Sequence, residues 1–150
     1  AAASVRLAEN NETCMFATVL CGRLDVASGR LRLASAGHEP PLLLQADGSA
    51  ALLAVPAGSP LGFEPSDEFP LYEGVLAAGA TLLGYTDGVT EAFDPEHRAY
   101  GSERLLRVLR AGDNAEAACQ RVLEDVRRHA GQAPQSDDIT LLAISRRRDD

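Results

Sequence analysis

The sequence predicts an α+β layered fold in which helices cover largely antiparallel sheets. Strand-like alternation broken by short turns dominates the chain up to Tyr85. From Ser102 onward the apolar residues recur with the period of amphipathic helices, and one more strand-like segment follows them. Short hairpin connections make neighbouring strands antiparallel, whereas regularly alternating strands and helices would indicate a parallel sheet.

The N-terminal part of the chain predicts a helix and a hairpin. Ala2–Asn11 is typical of the tail of a helix, which ends in a polar run. Met15–Asp25 is apolar on both alternating faces, the pattern of a central strand covered on both sides. A turn at Ser28-Gly29 leads into Arg30–Ser35. Leucine and arginine alternate there, as in a strand with one solvent-exposed face.

The middle of the chain predicts a second hairpin, a loop and two further strands. Asp47-Gly48 is a strong hairpin-turn signal because both residues tolerate the backbone that such turns need. Proline and glycine indicate a loop in the segment that follows this hairpin. The expected strands are Leu42–Gln45, Ala51–Val55, Phe69–Leu76 and Thr81–Tyr85, and the expected loop is Pro56–Pro65.

Two helices and a final strand are expected in the last third. Ser102 is a suitable N-cap for a helix over Ser102–Arg110. Ala115–Ala130 carries apolar residues at helical spacing, and Gly131 is well placed to end that helix. Thr140–Ser145 then returns as a strand before a polar tail.

Composition limits the class of protein. The 150 residues suit one domain, and a chain of this size buries about two-thirds of its unfolded surface. With 14 basic and 22 acidic residues the net charge is −8, which repels nucleic-acid phosphates and anionic lipids. No apolar run approaches the ~18 residues of a membrane span, so we expect no nucleic acid and no membrane contact from this segment. Three cysteines without framework spacing favour a reduced, cytoplasmic protein.

Asp87 is the first candidate for a functional residue. It follows a strand-like apolar segment and precedes Gly88, so a carboxylate projects from a rigid strand end where the backbone turns. This position suits a metal ligand. An ordinary turn is the alternative interpretation, as at Asp47-Gly48, but the surrounding octet Tyr85–Ala92 favours a ligand.

Asp137 and Asp138 form the second candidate. They stand directly before the last predicted strand, where adjacent carboxylates repel each other unless a cation neutralises them. A solvated loop is the alternative interpretation. Oxygen ligands without a His-Cys cluster indicate hard cations such as Mg²⁺ or Mn²⁺ rather than structural zinc.

Two more residues are weaker candidates. His38 lies in a rigid corner between Gly37 and two prolines, where a structural role is the more common one. Glu91 follows Asp87 by one helical turn, although a solvated surface glutamate is the simpler interpretation. The catalytic residues themselves stay unknown, because the sequence has no Gly-x-Ser-x-Gly nucleophile elbow and no glycine-rich phosphate loop.

The order of short motifs resembles the stage II sporulation E branch of the protein phosphatase 2C superfamily, that is, bacterial PPM-type serine/threonine phosphatases. The resemblance covers nearly the whole chain, and residues 1–150 correspond to the C-terminal two-thirds of one such domain. The motifs are Met15–Thr18, Gly22–Asp25, Ser28–Leu31, Ala36–Pro41, Pro60–Gly62, Tyr85–Ala92, Tyr100–Leu105 and Asp137–Thr140.

The resemblance implies an antiparallel β-sandwich flanked by helices, in an αββα order, with a two-metal Mn²⁺ or Mg²⁺ site. In that family the metals activate water to attack phosphoserine or phosphothreonine, by analogy here on an anti-anti-sigma factor-like protein. Asp87 and Gly88 match the family's Asp-Gly metal motif, and Asp137 matches the metal-binding aspartate before the final strand. Glu91, His38 and Asp138 are then expected to support the metal ligands.

The family's earlier metal motif has no counterpart in residues 1–150, so the N-terminal part of the domain is missing and the metal site is expected to be incomplete. We therefore expect the chain alone to be inactive, and to form a dimer or larger assembly that covers exposed sheet edge. The alternative is a non-catalytic partner-binding module with a degenerate phosphatase fold. A purely structural α+β protein would require all of the motifs to be coincidental.

Overall fold

A computed structural model of the chain describes residues 2–9, 11–63 and 68–148. These residues form two compact units, Ala1–Pro40 with Ala54–Val75 and Pro41–Leu53 with Leu76–Asp150. In chain order the elements are α1 (Ala2–Ala8), β1 (Val19–Leu24), β2 (Arg30–Ala36), β3 (Leu42–Leu44), β4 (Ala50–Leu52), β5 (Ala57–Gly58), β6 (Tyr72–Val75), β7 (Thr81–Tyr85), α2 (Asp87–Thr90), α3 (Ser102–Val108), α4 (Ala115–Ala130) and β8 (Leu141–Ser145).

Strand β2 organises the sheet of the first unit. It pairs antiparallel with β1 and β6, and parallel with the short β5. Leu31 and Leu33 are buried, whereas Arg30 and Arg32 are exposed, so the prediction of one wet face is confirmed. The predicted β1–β2 hairpin is also confirmed, and Asp25 Oδ1 closes its turn by accepting the Ser28 amide at 2.8 Å.

The prediction of a central strand over Met15–Asp25 is wrong. Strand β1 is shorter, and within the described residues it pairs only with β2, at an edge of the sheet. Its side chains are exposed or half-buried, and Met15 and Phe16 before it are 72% and 62% exposed. Apolar residues on both faces of a strand are compatible with burial, but they do not show which faces the fold covers.

Smaller differences concern boundaries. The loop predicted over Pro56–Pro65 contains β5, because residues 57–58 pair with the end of β2, and residues 64–65 lie outside the described residues. Helix α1 ends at Ala8, before the predicted Asn11. The last two residues of the predicted polar tail also lie outside the described part of the chain.

The second unit is built on a four-stranded sheet in the order β4-β3-β7-β8, antiparallel throughout. Strand β7 is central and almost entirely buried. On one face of α4, Ala118, Val122 and Val126 are buried and join Leu83 and Tyr85 of β7 in the core. The prediction that the amphipathic helix packs on a sheet is therefore confirmed.

Helices α3 and α4 differ in how they begin. For α4 the Asn114 side chain accepts the Ala117 amide at 2.9 Å, and Gly131 ends the helix with a positive φ of 57°, as predicted. The prediction that Ser102 caps α3 is wrong: Ser102 is the first helical residue, and Gly101 precedes it with a φ of 74° and no side-chain cap. A serine near the start of a helix can be either the N-cap or the first helical residue, and the sequence alone does not distinguish these positions.

The α+β fold class is confirmed, with sheets that are antiparallel except for the short β2–β5 pair. In the part of the chain that the structure describes, no helix has both the length and the apolarity needed to cross a bilayer.

Asp125 of α4 connects this helix with α3 and with the segment that contains Tyr100. Its carboxylate is buried and accepts hydrogen bonds from the Tyr100 hydroxyl at 3.0 Å, Arg104 Nε at 2.7 Å and Arg128 Nη1 at 2.9 Å. The hydrogen bond from Arg104 is the main reason that the pKa of Asp125 lies below its ordinary value. Burial acts in the opposite direction but does not outweigh it.

Asp113 makes a similar pair at the start of α4. Arg121 donates to both of its carboxylate oxygens, at 2.7 and 2.9 Å, and the Arg110 amide donates at 2.9 Å. The Arg121 hydrogen bonds hold the pKa of Asp113 below its ordinary value. Both aspartates therefore stabilise the fold in their ionised form.

We expect Asp125→Asn to lower the free energy of unfolding at neutral pH by about 2–3 kcal/mol, because charge-assisted hydrogen bonds are lost. Since the folded pKa of Asp125 is lowered, its contribution is complete above the unfolded pKa of about 3.9 and is lost as pH falls through the folded value. The variant should therefore lose less stability than the wild type in acid. Urea titrations monitored by circular dichroism across this pH range test the prediction.

The matched control is Glu124→Gln, which removes one exposed carboxylate from the same helix and should leave both the stability and its pH dependence nearly unchanged. An Asp125→Asn protein that unfolds at the wild-type urea concentration at neutral pH would contradict the structural role of this network.

Candidate metal centre at the ends of β7 and β8

The pairing of β7 with β8 brings the candidate segments together. In this antiparallel pair Tyr85 lies opposite Leu141, so the residues that follow β7 and those that precede β8 emerge at the same end of the sheet. The ladder continues for one more residue, since the Thr86 amide donates to the Thr140 carbonyl at 3.2 Å. The strand ends that carry Asp87 and Asp137 are therefore neighbours.

Thr86 joins the two segments through its side chain. Its hydroxyl donates to the Asp138 carbonyl at 2.9 Å and accepts the Thr140 amide at 2.9 Å. One side chain thus fixes the backbone on both sides of Ile139. Sequence analysis missed Thr86, whose only signal was its position directly before an Asp-Gly pair.

Gly88 is buried against the backbone of Asp137 and Asp138. A Cβ atom at this position would lie 2.5 Å from the Asp138 carbonyl oxygen and 3.2 Å from that of Asp137. Any side chain here would collide with backbone, which cannot easily move. The sequence predicted that Gly88 permits a tight turn. In the structure Gly88 lies in the short helix α2, and glycine is required because the Asp137–Asp138 backbone packs directly against it.

Asp87, Asp137 and Asp138 are all exposed at this end of the sheet. Asp87 Oδ1 accepts its neighbour's Gly88 amide at 3.0 Å, and Asp137 Oδ1 accepts the Asp138 amide at 2.7 Å. Gln135, a second residue that sequence analysis missed, donates to the Asp137 carbonyl at 2.8 Å. Among the described residues, the second carboxylate oxygens of Asp87 and Asp137 have no hydrogen-bond donor, so both are available to a cation.

The chemistry of these donors fits Mn²⁺ or Mg²⁺, which prefer carboxylate and carbonyl oxygens. Across residues 2–9, 11–63 and 68–148, however, no group of three or more His, Cys, Asp or Glu side chains converges on one point. The aspartates therefore fit as part of a coordination shell and not as all of it. Their role as metal ligands stays a prediction.

Glu91 and His38 are placed differently. The Glu91 amide donates to the Asp87 carbonyl at 2.7 Å, which ends α2, and its side chain is exposed. His38 lies in the first unit, where its Nδ1 is 3.0 Å from the Thr18 hydroxyl and its backbone pairs with the Ser35 hydroxyl. These contacts give His38 a structural place in its own turn.

We expect Gly88→Ala to destabilise the protein by about 1–3 kcal/mol, the usual cost of overpacking, and to displace the Asp137–Asp138 backbone. Gly112→Ala is the control: nothing lies within 4 Å of its Cβ, so it carries only the cost of a positive φ, about 1 kcal/mol. Denaturation curves and amide NMR shifts measure both effects. Unchanged amides at 137–140 in Gly88→Ala would contradict the close approach.

The sequence profile of the stage II sporulation protein E (SpoIIE) family matches residues 1–147. Protein IcfG from a Synechocystis species is 33% identical over 139 residues, which cover 92% of this chain. The match spans only 22% of IcfG, so this chain corresponds to about a fifth of that relative.

Solved structures agree with this assignment. The RsbU and RsbW domains of a Mycobacterium tuberculosis protein match with a TM-score of 0.70 and 30% identity, over 95% of this chain and 39% of theirs. The catalytic domain of the serine/threonine phosphatase PstP, solved with two manganese ions, shares the fold with a TM-score of 0.63 at 17% identity, over 95% of this chain and 64% of that one. The chain therefore belongs to the SpoIIE family and has the fold of protein phosphatase 2C-type domains.

Proposed function

We propose that the chain is the C-terminal portion of a metal-dependent protein serine/threonine phosphatase domain. The observation that carries the proposal is the contact between Asp87-Gly88 and Asp137-Asp138 at one end of the second sheet. Membership of the SpoIIE family and the fold shared with a manganese-containing phosphatase support it.

In this proposal Asp87 and Asp137 hold Mn²⁺ or Mg²⁺, with Asp138 and Glu91 in supporting positions. When bound, such cations supply Lewis acidity, which neutralises phosphate charge and promotes attack by water. The protein's own part is to hold the carboxylates still. The Asp138 amide orients the Asp137 carboxylate, and the Gly88 amide orients that of Asp87. Thr86 keeps the two segments at a fixed separation.

The substrate in this proposal is a phosphoserine or phosphothreonine on a cytoplasmic regulatory protein of the anti-anti-sigma factor kind. We also propose that the chain self-associates through the edge strand β1, because apolar side chains at its start are exposed. Val19 at the start of this strand is 36% exposed, and Phe16 just before it is 62% exposed. An exposed, apolar sheet edge is a surface that proteins commonly cover by pairing.

The test is Mn²⁺-dependent hydrolysis of p-nitrophenyl phosphate by a longer protein that contains this chain. Asp87→Ala and Asp137→Ala should each lower the rate of hydrolysis by at least about 100-fold. Even the loss of a residue that only hydrogen-bonds to a metal ligand typically lowers metal affinity or activity by about 10–100-fold. Chelation should abolish activity. The chain of 150 residues alone is expected to show negligible turnover.

Asp47→Ala is the matched control, because it removes the aspartate of the other Asp-Gly turn, whose carboxylate accepts hydrogen bonds from the Ser49 amide and hydroxyl. It should leave the rate unchanged. Activity that survives Asp87→Ala would contradict the assigned metal site. A longer protein without hydrolysis under any metal condition would instead favour the non-catalytic binding module.

A further inference from the structure

An open groove of about 370 Å³ lies beside the candidate metal centre in the second unit. It is bounded by α2, by the last turns of α4 and by the loop that leads from α4 to β8. Ala92, Val126, Ala130, Pro134 and Ile139 line it, so its surface is mostly apolar. Its volume lies within the range of about 300–1,000 Å³ that is usual for ligand sites.

A second depression adjoins the groove at Phe93. It has a volume of about 290 Å³, shares Phe93 and residues 133–136 with the groove, and is also lined by Asp94, Pro95 and His97. The two neighbouring depressions offer adjacent surfaces to successive residues of a bound polypeptide segment.

One end of the groove adjoins the candidate metal ligands. Gly88 and Ile139 are part of its lining, and they are the chain neighbours of Asp87 and Asp138. A segment lying in the groove would therefore be continuous with a phosphorylated residue at the carboxylates.

Arg127 gives the groove a charge. Helix α4 contains three arginines, of which Arg121 pairs with Asp113 and Arg128 pairs with Asp125. Arg127 is exposed, lines the groove, and forms no ion pair with any residue that the structure describes. In a protein with a net charge of −8, such an arginine is a local attraction for a carboxylate, which its planar guanidinium binds in a forked geometry.

We propose that this groove binds the segment flanking the phosphorylated residue of the protein substrate, and that it selects an apolar side chain followed by an acidic one. The apolar side chain lies against Phe93 and Ala130, and the acidic side chain pairs with Arg127. This inference rests on the proposed function, because the groove is assigned to the substrate of that same site.

Arg127 also has a simpler role, since a cation in the last turn of a helix interacts favourably with the helix dipole. That role predicts a small stability effect and no preference among peptides. Peptide selectivity therefore distinguishes the two roles.

The experiment titrates the ¹⁵N-labelled chain with two synthetic phosphoserine peptides that differ at one position. Both carry leucine after the phosphoserine, followed by glutamate in one peptide and lysine in the other. We expect the glutamate peptide to bind about tenfold more tightly, as one charge-assisted pair allows, and to shift the amides of non-proline residues that line the groove, among them Phe93, Arg127, Ala130, Ala133, Gln135 and Ser136. Arg127→Gln should remove the preference and Arg127→Glu should reverse it.

The control Arg110→Glu makes the same charge change at an exposed arginine outside the groove lining, and should keep the wild-type preference. Equal binding of both peptides, an Arg127→Glu variant with the wild-type preference, or shifts confined to other surfaces would each overturn the proposal. Groove amides that shift with protein concentration before peptide is added would assign the groove to a second copy and overturn it as well.

Because binding is measured without turnover, failure of this inference is distinct from failure of the proposed function. Asp87→Ala should retain binding of the unphosphorylated glutamate peptide in the groove even though it abolishes hydrolysis in the longer protein. Groove binding without any hydrolysis would contradict the proposed function and leave only a peptide-binding groove. Hydrolysis without groove selectivity would support the proposed function and overturn this inference.

Discussion

The close approach of Gly88 to the Asp137–Asp138 backbone is the contact on which the candidate site depends. Antiparallel pairing of β7 with β8 brings the two segments to the same sheet end, and Thr86 extends that pairing by three hydrogen bonds. Only a residue without a side chain fits at the point of contact. The separation of the two segments that carry the carboxylates is therefore set by backbone contacts.

Helix α4 connects this site with the rest of the second unit. Its apolar face, with Val122 and Val126, packs in the core that contains β7. Asp125 joins it to α3 and to the Tyr100 segment through its buried carboxylate, which accepts hydrogen bonds from Arg104 and Tyr100. Near its end it presents Arg127 to the groove beside the candidate metal centre. Core packing, charge pairing and the proposed substrate contact thus depend on the placement of one helix.

The sequence correctly predicted features that depend on only a few neighbouring residues. Gly131 marked the end of α4 because capping is a property of a few neighbouring residues, and the apolar run of β7 identified a strand. Strand β1 misled because its composition does not reveal which neighbours cover it. Thr86 was missed because its partners lie more than fifty positions along the chain. The aspartates became candidates through their positions beside predicted strands, and the family motifs then assigned Asp87 and Asp137 to a metal site.

The central proposal is that the segments after β7 and before β8 together form one binding site for divalent cations. Paramagnetic broadening tests it directly: substoichiometric Mn²⁺ added to the ¹⁵N-labelled chain should broaden amides 86–91 and 136–140 together. Asp87→Ala should remove the broadening from both segments, because each carboxylate supplies only part of the ligand shell. Broadening at 136–140 that persists unchanged in Asp87→Ala, or broadening centred on another acidic turn such as that of Asp25, would contradict the account.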